Sequence, residues 1–482
     1  MSAVVDTAEG RVTGTWKDGI ARFRGVPYAH ARRFAHPTAV APWTGELDAS
    51  RYGPQAPQLP TILDRMSGGL DLERSEDCLN LNVTTPGLDG ARRPVLVWVH
   101  GGAFTNGTGA SPWYDGSSFG ARHDCVVVTI NYRLGVLGYA HLDDVFGERF
   151  AGSGNLGLLD QIEALRWVQR NIAAFGGDPD NVTVFGESAG GSAVLSLLAA
   201  PAATGLFHRA VAQSASFSQL RTRERADQAA RSMLAELGLG AGDADRLLDL
   251  PVDALLGAQA ALFAADPLGA FTAFAPTNDG VVLHTEVDEG AATSLVPLLI
   301  GCTRDEMHLF TFLDPTFASL DDAGLVERVR LLLGDDAVAM VNAYRAARPG
   351  LTAGQLASAV AGDHAFRVPA VRLADTREAA GHRTWRYLFR WASTAFGGAL
   401  GSCHALEIPF VFHTLDKAGV AFFTGDGADR GPLADAMHAT WADYARHGDP
   451  GWLHQGNRPT MVFDTPTALE HDPDGDLLAL WP

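Results

Sequence analysis

The sequence predicts an α/β fold built on a large, mostly parallel central sheet flanked by helices. Short, near-continuously apolar runs rich in β-branched residues recur along the 482 residues, as strands buried on both faces require. Between them lie segments whose apolar residues fall at helical spacing, and strands alternating with helices build parallel sheets. No internal repeat or low-complexity linker divides the chain, so residues 1–482 read as one domain.

The expected strands are 94–100 (PVLVWVH), 125–132 (CVVVTINY), 182–185, 209–213, 296–301 and 384–391. Residues 157–175 place Leu158, Ile162, Leu165, Trp167, Val168 and Ile172 on a helical face, and Asp178-Pro179-Asp180-Asn181 reads as a turn. Two stretches break the rhythm, about 221–265 and 316–380. Both are rich in Ala, Leu and charged residues and read as helical insertions capping the active site.

Composition narrows the function. The net charge is −19, from 37 basic and 56 acidic residues, and no Lys/Arg-rich run occurs. That balance disfavours nucleic acid and anionic membranes as partners. The N-terminal MSAVVDTAEG lacks the pattern of a secretion signal. The uncharged run 190–207 contains Pro201 and Gly205, and reads as a buried helix followed by a turn rather than a membrane span. Cys78, Cys125, Cys302 and Cys403 are scattered singly, with neither zinc nor disulfide-framework spacing. A reducing, cytoplasmic setting is the expectation, with no metal and no cofactor.

The chemistry starts at Gly186-Glu187-Ser188-Ala189-Gly190, between an expected strand and an Ala/Leu-rich helix. GxSxG by itself is weak, since glycine-rich turns hold incidental serines. It occurs again at Gly116-Ser117-Ser118-Phe119-Gly120, which has no strand before it and reads as a turn. Around Ser188 the strand, sharp turn and helix are those of a nucleophile elbow, with the hydroxyl near a helix N-terminus. A second motif agrees. His100-Gly101-Gly102-Ala103-Phe104 follows the first buried strand, where an α/β-hydrolase loop supplies oxyanion-hole N–H groups. A serine hydroxyl also needs a base and an acid to orient it. By position alone any of the histidines after residue 306 is eligible as base, and a lone glutamate at a strand end is more often an ion-pair partner.

The chain resembles the type-B carboxylesterase family, which includes the cholinesterases and bacterial p-nitrobenzyl-esterase-like enzymes, the bacterial branch being nearer. The resemblance rests on 23–29 (FRGVPYA), 75–83 (SEDCLNLNV), 98–104 (WVHGGAF), 131–139 (NYRLGVLGY), the long block 154–191, 404–412 (HALEIPFVF) and 460–464 (TMVFD). It implies an α/β-hydrolase fold and a serine carboxylesterase, with Ser188 as nucleophile, Glu306 as triad acid and His404 as base. It further implies Gly102, Ala103 and Ala189 as oxyanion donors, Ser214 and Glu187 as supporting residues, and ion pairs Glu76–Arg33 and Asp160–Arg133, both buried. A small-molecule ester is the implied partner, and the oligomeric state stays open between monomer and homodimer. Carbamate or amide hydrolysis with the same triad, and a non-catalytic binding protein on this fold, are the alternatives.

Four departures from the family carry information. The segment 53–58 reads GPQAPQ, without the cysteine that relatives pair with the one at Cys78. A proline-rich rim segment is missing after Ala29, and the choline-binding tryptophan and second aromatic are absent, Leu309 standing at the latter position. Choline esters are therefore expected to be poor substrates. Finally, Ala270 and Thr272 stand where cholinesterases carry two bulky acyl-pocket aromatics, which implies an open acyl pocket unless Phe271 or Phe310 fills it.

Overall fold

A computed structural model describes all residues except 61–70, 218–219 and 267–271. Among the described residues thirteen strands form one sheet. Its centre is seven parallel strands in the spatial order Val126–Ile130, Arg93–Val99, Gly177–Glu187, Arg209–Gln213, Leu298–Thr303, Thr384–Phe389 and Pro459–Phe463. Antiparallel strands finish both edges, with Asn80–Thr85 on one side and Ala468–His471 on the other.

The two-residue period of a strand sorts these apolar runs into two cores. Val95, Val97, Val99, Val182 and Val184 face one core, shared with the helices Leu156–Asn171 and Ala189–Ala199. Leu96, Trp98, Val127, Phe185, Leu299, Trp385 and Phe389 face the other, shared with helix Arg430–His447. Every residue in the strands Arg93–Val99 and Val126–Ile130 is buried, which is why the sequence there shows no polar alternation.

The chain runs from Arg93–Val99 outward to Val126–Ile130, then returns to place Gly177–Glu187 on the other flank of Arg93–Val99. The crevice beyond the C-terminal ends of strands at such a reversal is where α/β sheets bind ligands. Residues 188, 100–104, 214, 306 and 404 all follow C-terminal ends of these central strands.

Several local expectations are corrected. Asp178–Asn181 is not a free turn but the irregular start of strand Gly177–Glu187, whose register slips between Gly177 and Val182. The proline removes a ladder N–H there, and a bulge absorbs it. The helix expected over 157–175 spans Leu156–Asn171 and tightens into a 3₁₀ turn that Gly176 ends at φ 78°. The second GxSxG stretch opens helix Ser117–His123, with Asp115 Oδ1 before the Gly116 N-cap accepting the Ser117 N–H at 3.0 Å. Of the run 316–380, helix Val368–Ala379 packs Ala370, Leu373 and Ala374 into the sheet's own core. Helices Asp322–Leu333, Ala337–Ala347 and Ala353–Gly362 instead build a separate cluster around Leu325, Met340, Tyr344 and Val360.

Both expected ion pairs form, but only one is buried. Arg133 grips Asp160 with Nε and Nη2 at 2.8 and 2.7 Å, its own N–H adds a third bond at 3.0 Å, and the two side chains are 5% and 0% exposed. Arg33 and Glu76 meet at 2.5 Å with the carboxylate 35% exposed, so water screens that pair. Asp160→Asn is therefore expected to cost about 3–5 kcal/mol in chemical denaturation, by stranding a buried guanidinium. Glu76→Gln is expected to cost about 1 kcal/mol or less. Equal losses in the two variants would contradict the difference in burial.

Candidate active site

Ser188 sits at φ 59° and ψ −124°, a backbone conformation outside the ordinary regions for a residue with a side chain. It is the joint between strand Gly177–Glu187 and helix Ala189–Ala199. Its N–H is tied to Gln213 O at 2.9 Å, which locks the joint to the neighbouring strand. The flanking glycine answers to close approach: a Cβ on Gly190 would lie 2.0 Å from Val99 O. The helix could not dock so near the sheet with any other residue there.

Facing this elbow is the turn at Gly101–Phe104. A Cβ added to Gly101 would fall 3.1 Å from Ser188 Cβ, so the turn and the elbow are in contact. Gly102, Ala103 and Phe104 have φ of 112°, 53° and 58°. Among the described residues neither the Gly102 nor the Ala103 N–H donates to another group. Ala189 is the first residue of its helix, whose N–H has no intrahelical partner. His100 beneath the turn is buried, which pushes its pKa down to about 4, so it stays a neutral floor. It stacks on Tyr132 with ring centres 4.5 Å apart.

The third part is a histidine held among carboxylates. Glu306 Oε1 accepts from Ser214 Oγ at 2.6 Å and from the Thr303 N–H at 2.8 Å, while Oε2 pairs with His404 Nδ1. His404 Nε2 lies 3.2 Å from Oε1 of Glu187, a charge contact without hydrogen-bond alignment. No hydrogen bond joins Nε2 to Ser188 among the described residues; such contacts commonly tighten only when substrate is bound. Phe310 and Phe366 flank the ring at 5.3 and 5.0 Å, the latter from a π-helical turn over Asp363–Arg367.

Burial alone would push the His404 pKa down, but the carboxylates of Glu187 and Glu306 reverse this and raise it to about 9. Burial raises Glu187 to about 7, with Glu306 adding to the shift and His404 opposing it.

Sequence reasoning missed two contributors. Asp305 clasps the histidine loop, its N–H donating to Ser402 O at 2.8 Å and its Oδ2 accepting the Ser402 N–H at 2.9 Å. Glu407 is buried and raised to about 8 by burial, and accepts from Gln213 Nε2 at 3.0 Å and Tyr387 Oη at 2.9 Å. Its place three residues after His404 was the available signal. Of the expected acyl-pocket residues, Ala270 lies outside the described residues, as does Phe271. Thr272 is half-buried, and Phe310 is 37% exposed against the His404 ring. All four cysteines are free and buried. Metal-ligand spacing occurs among the described residues only at His141, Asp143 and Asp144, where the ring nitrogens already face carboxylates at 2.8 and 3.0 Å and Arg223 holds Asp144. No described helix is long and apolar enough to cross a membrane.

A strained serine elbow, a facing turn of small residues and a Glu–His pair, all on the C-terminal edge of a parallel sheet, define an α/β-hydrolase. Residues 1–468 match the model of the carboxylesterase family, and the chain belongs to that family. The para-nitrobenzyl esterase of Bacillus subtilis is 38% identical over 98% of this chain and 97% of its own length. The phenmedipham hydrolase of Pseudarthrobacter oxydans is 37% identical over 97% and 94%. The crystal structure of carboxylesterase EST55 from Geobacillus stearothermophilus matches with a TM-score of 0.88 at 40% identity, covering 99% of this chain and 100% of that one. The chain is a serine carboxylesterase that hydrolyses carboxylic esters.

Removing one of the carboxylates that face His404 weakens the hold on its proton. Glu187→Gln is expected to move the ring's deprotonation from about 9 toward lower pH, by about one pH unit. The histidine's downfield ring-proton resonance, followed against pH, measures it. A titration unchanged by the substitution would refute the coupling.

Proposed function

We propose that Ser188, His404 and Glu306 form the catalytic triad and that the N–H groups of Gly102, Ala103 and Ala189 form the oxyanion hole. The observation that carries this reading is the Glu306–His404 pair standing on the same sheet edge as the strained Ser188 elbow. In the reaction His404 Nε2 takes the Ser188 proton as Oγ bonds to the ester carbonyl carbon. The carbonyl oxygen becomes the oxyanion, met by the three N–H groups. His404 then gives its proton to the alkoxy oxygen, the C–O bond breaks and the alcohol leaves. Water, deprotonated by the same ring, attacks the acyl-enzyme and restores Ser188. Ser214 and Thr303 hold the Glu306 carboxylate so that its free oxygen faces Nδ1.

The proposed substrates are small esters with short-to-medium or aromatic acyl groups, cleaved in the cytoplasm; four free buried cysteines fit a reducing compartment. Residues 1–482 act as one domain in this reading, with the helical insertion about 221–265 and the part of 316–380 that precedes helix Val368–Ala379 capping the site. Two contacts support it. Arg221 donates to Ala275 O at 3.0 Å and to Tyr139 O at 2.8 Å, tying the first insertion to the loop before Pro276. Phe366, from the second, covers His404.

Ser188→Ala and His404→Ala are each expected to lower kcat by about 10⁵–10⁶, with little further loss in the double variant, because the two act as one unit. Additive losses would refute the assignment. For acyl size, kcat/KM is expected to rise from p-nitrophenyl acetate to butyrate and hexanoate, each buried methylene adding up to about 0.8 kcal/mol until the pocket fills. A maximum at acetate would show that the pocket is closed.

A further inference from the structure

We infer that Gln58 is a positioning residue for ester hydrolysis, its side-chain amide fixing the Gly102–Ala103 turn in the register its N–H groups need to meet the oxyanion. This rests on the reading of that turn as the oxyanion hole.

Three successive positive φ angles, two of them at residues bearing side chains, make the turn a strained stretch of backbone. Such conformations persist only where the surroundings over-determine them. At the inner end, Gly102 O accepts the N–H groups of Thr105 and Asn106 at 3.0 and 2.9 Å, and Gly135 N–H donates to Phe104 O at 2.7 Å. The outer end is held by a different part of the chain, the GPQAPQ segment 53–58 and its sequel. Gln58 Oε1 accepts the Gly107 N–H at 2.8 Å while its Nε2 donates to Gly107 O at 3.0 Å. One amide thus answers both backbone groups of one residue, as a neighbouring strand would. Asn106 Nδ2 adds a bond to Leu59 O at 2.6 Å. Gln58 is 3% exposed and also reaches Ala56 O at 3.1 Å, so its amide is held largely out of water.

Geometry makes this clamp matter. A Cβ on Gly107 would lie 2.4 Å from His100 Nδ1, so Gly107 is wedged between the rigid His100–Tyr132 stack and the Gln58 amide. Without the amide, the outer end keeps the Asn106–Leu59 bond and the His100 side of the wedge but loses both bonds to Gly107, and the turn can relax its strain by moving outward. The ester's ground state leans little on the oxyanion donors, whereas the tetrahedral intermediate needs them at hydrogen-bond distance. A displaced turn therefore lowers kcat and leaves KM nearly unchanged.

The test compares the full-length enzyme with Gln58→Ala and Gln58→Glu. The readouts are kcat and KM on p-nitrophenyl butyrate and the inhibition constant of an alkyl trifluoromethyl ketone. That ketone forms a hemiketal: Ser188 Oγ bonds to its carbon, the C=O pair moves to oxygen as the oxyanion, and the serine proton passes to His404. Gln58→Ala is expected to lower kcat by about tenfold or more, to leave KM within about threefold, and to weaken the ketone by the factor lost from kcat/KM. Gln58→Glu keeps the acceptor for Gly107 N–H but sets a carboxylate against Gly107 O. Its activity relative to the unaltered enzyme is expected to recover as the pH falls from 8 to 5 and the carboxyl regains a donor. Unchanged kcat and ketone affinity, or a loss confined to KM or to thermal stability, would overturn the inference while leaving the oxyanion hole intact. Failure of the ketone to inhibit the unaltered enzyme would overturn the oxyanion reading and the inference with it.

Discussion

One imidazole compensates a pocket of buried acids, and much of the central architecture follows from that. His404 faces Glu306 on one ring nitrogen and Glu187 on the other, with Glu407 close behind, and every one of these side chains is nearly inaccessible to water. Buried carboxylates are tolerated only when paired or hydrogen-bonded. The neighbours meet that demand with neutral donors: Ser214 and Thr303 for Glu306, Gln213 and Tyr387 for Glu407. Strands bring these donors together because Gln213 and Ser214, Thr303, and Tyr387 belong to adjacent parallel strands or their immediate ends.

Strained backbone is present at the proposed chemistry. Ser188 in the elbow and Ala103 and Phe104 in the facing turn hold positive φ without being glycine. The elbow's strain is carried by helix docking through Gly190 and by the tie from Ser188 N–H to Gln213 O. The turn's strain is carried by bonds within it and by bonds from two separate stretches of chain, at Gln58–Leu59 and at Gly135. A rigid sheet edge with two strained loops facing each other is a preorganised arrangement: in the proposed reaction its donors are aimed before the substrate arrives, and little reorganisation is left.

The scaffold around the edge is held by conventional means with unequal weight. The Arg133–Asp160 pair is fully sequestered beneath the loop after Val126–Ile130, and its guanidinium also donates to Ala35 O at 2.7 Å, fastening the N-terminal segment to the sheet. Arg377 is also fully buried but pairs with no carboxylate among the described residues. It donates to the carbonyls of Ser294 and Val296 at 3.0 and 2.7 Å and to Thr384 Oγ1 at 2.9 Å, closing the base of the strands that lead to Glu306 and His404. Charge is thus used at both ends of the sheet, as an ion pair at one and as a carbonyl collector at the other.

The sequence by itself determined the parallel sheet, because strands buried on both faces must be apolar throughout, and it determined the elbow, because a strand, two flanking glycines and a helix leave one place for Ser188. It also placed the Gly101–Phe104 turn, since small residues directly after a buried strand have few other uses. The resemblance to carboxylesterases then singled out Glu306 and His404; spacing could not, for these residues stand 98 positions apart and meet only through strand order. Tertiary structure alone decided the rest. Whether an ion pair is buried or screened depends on what lies over it, which separates Asp160 from Glu76. Whether Asn181 ends a turn or lies in the bulged start of a strand depends on a partner strand's register. The Asp305 clasp, the Glu187 contact and the Gln58 clamp are all meetings of distant segments, and local sequence carries no signal for a contact whose energy comes from the other side of the fold.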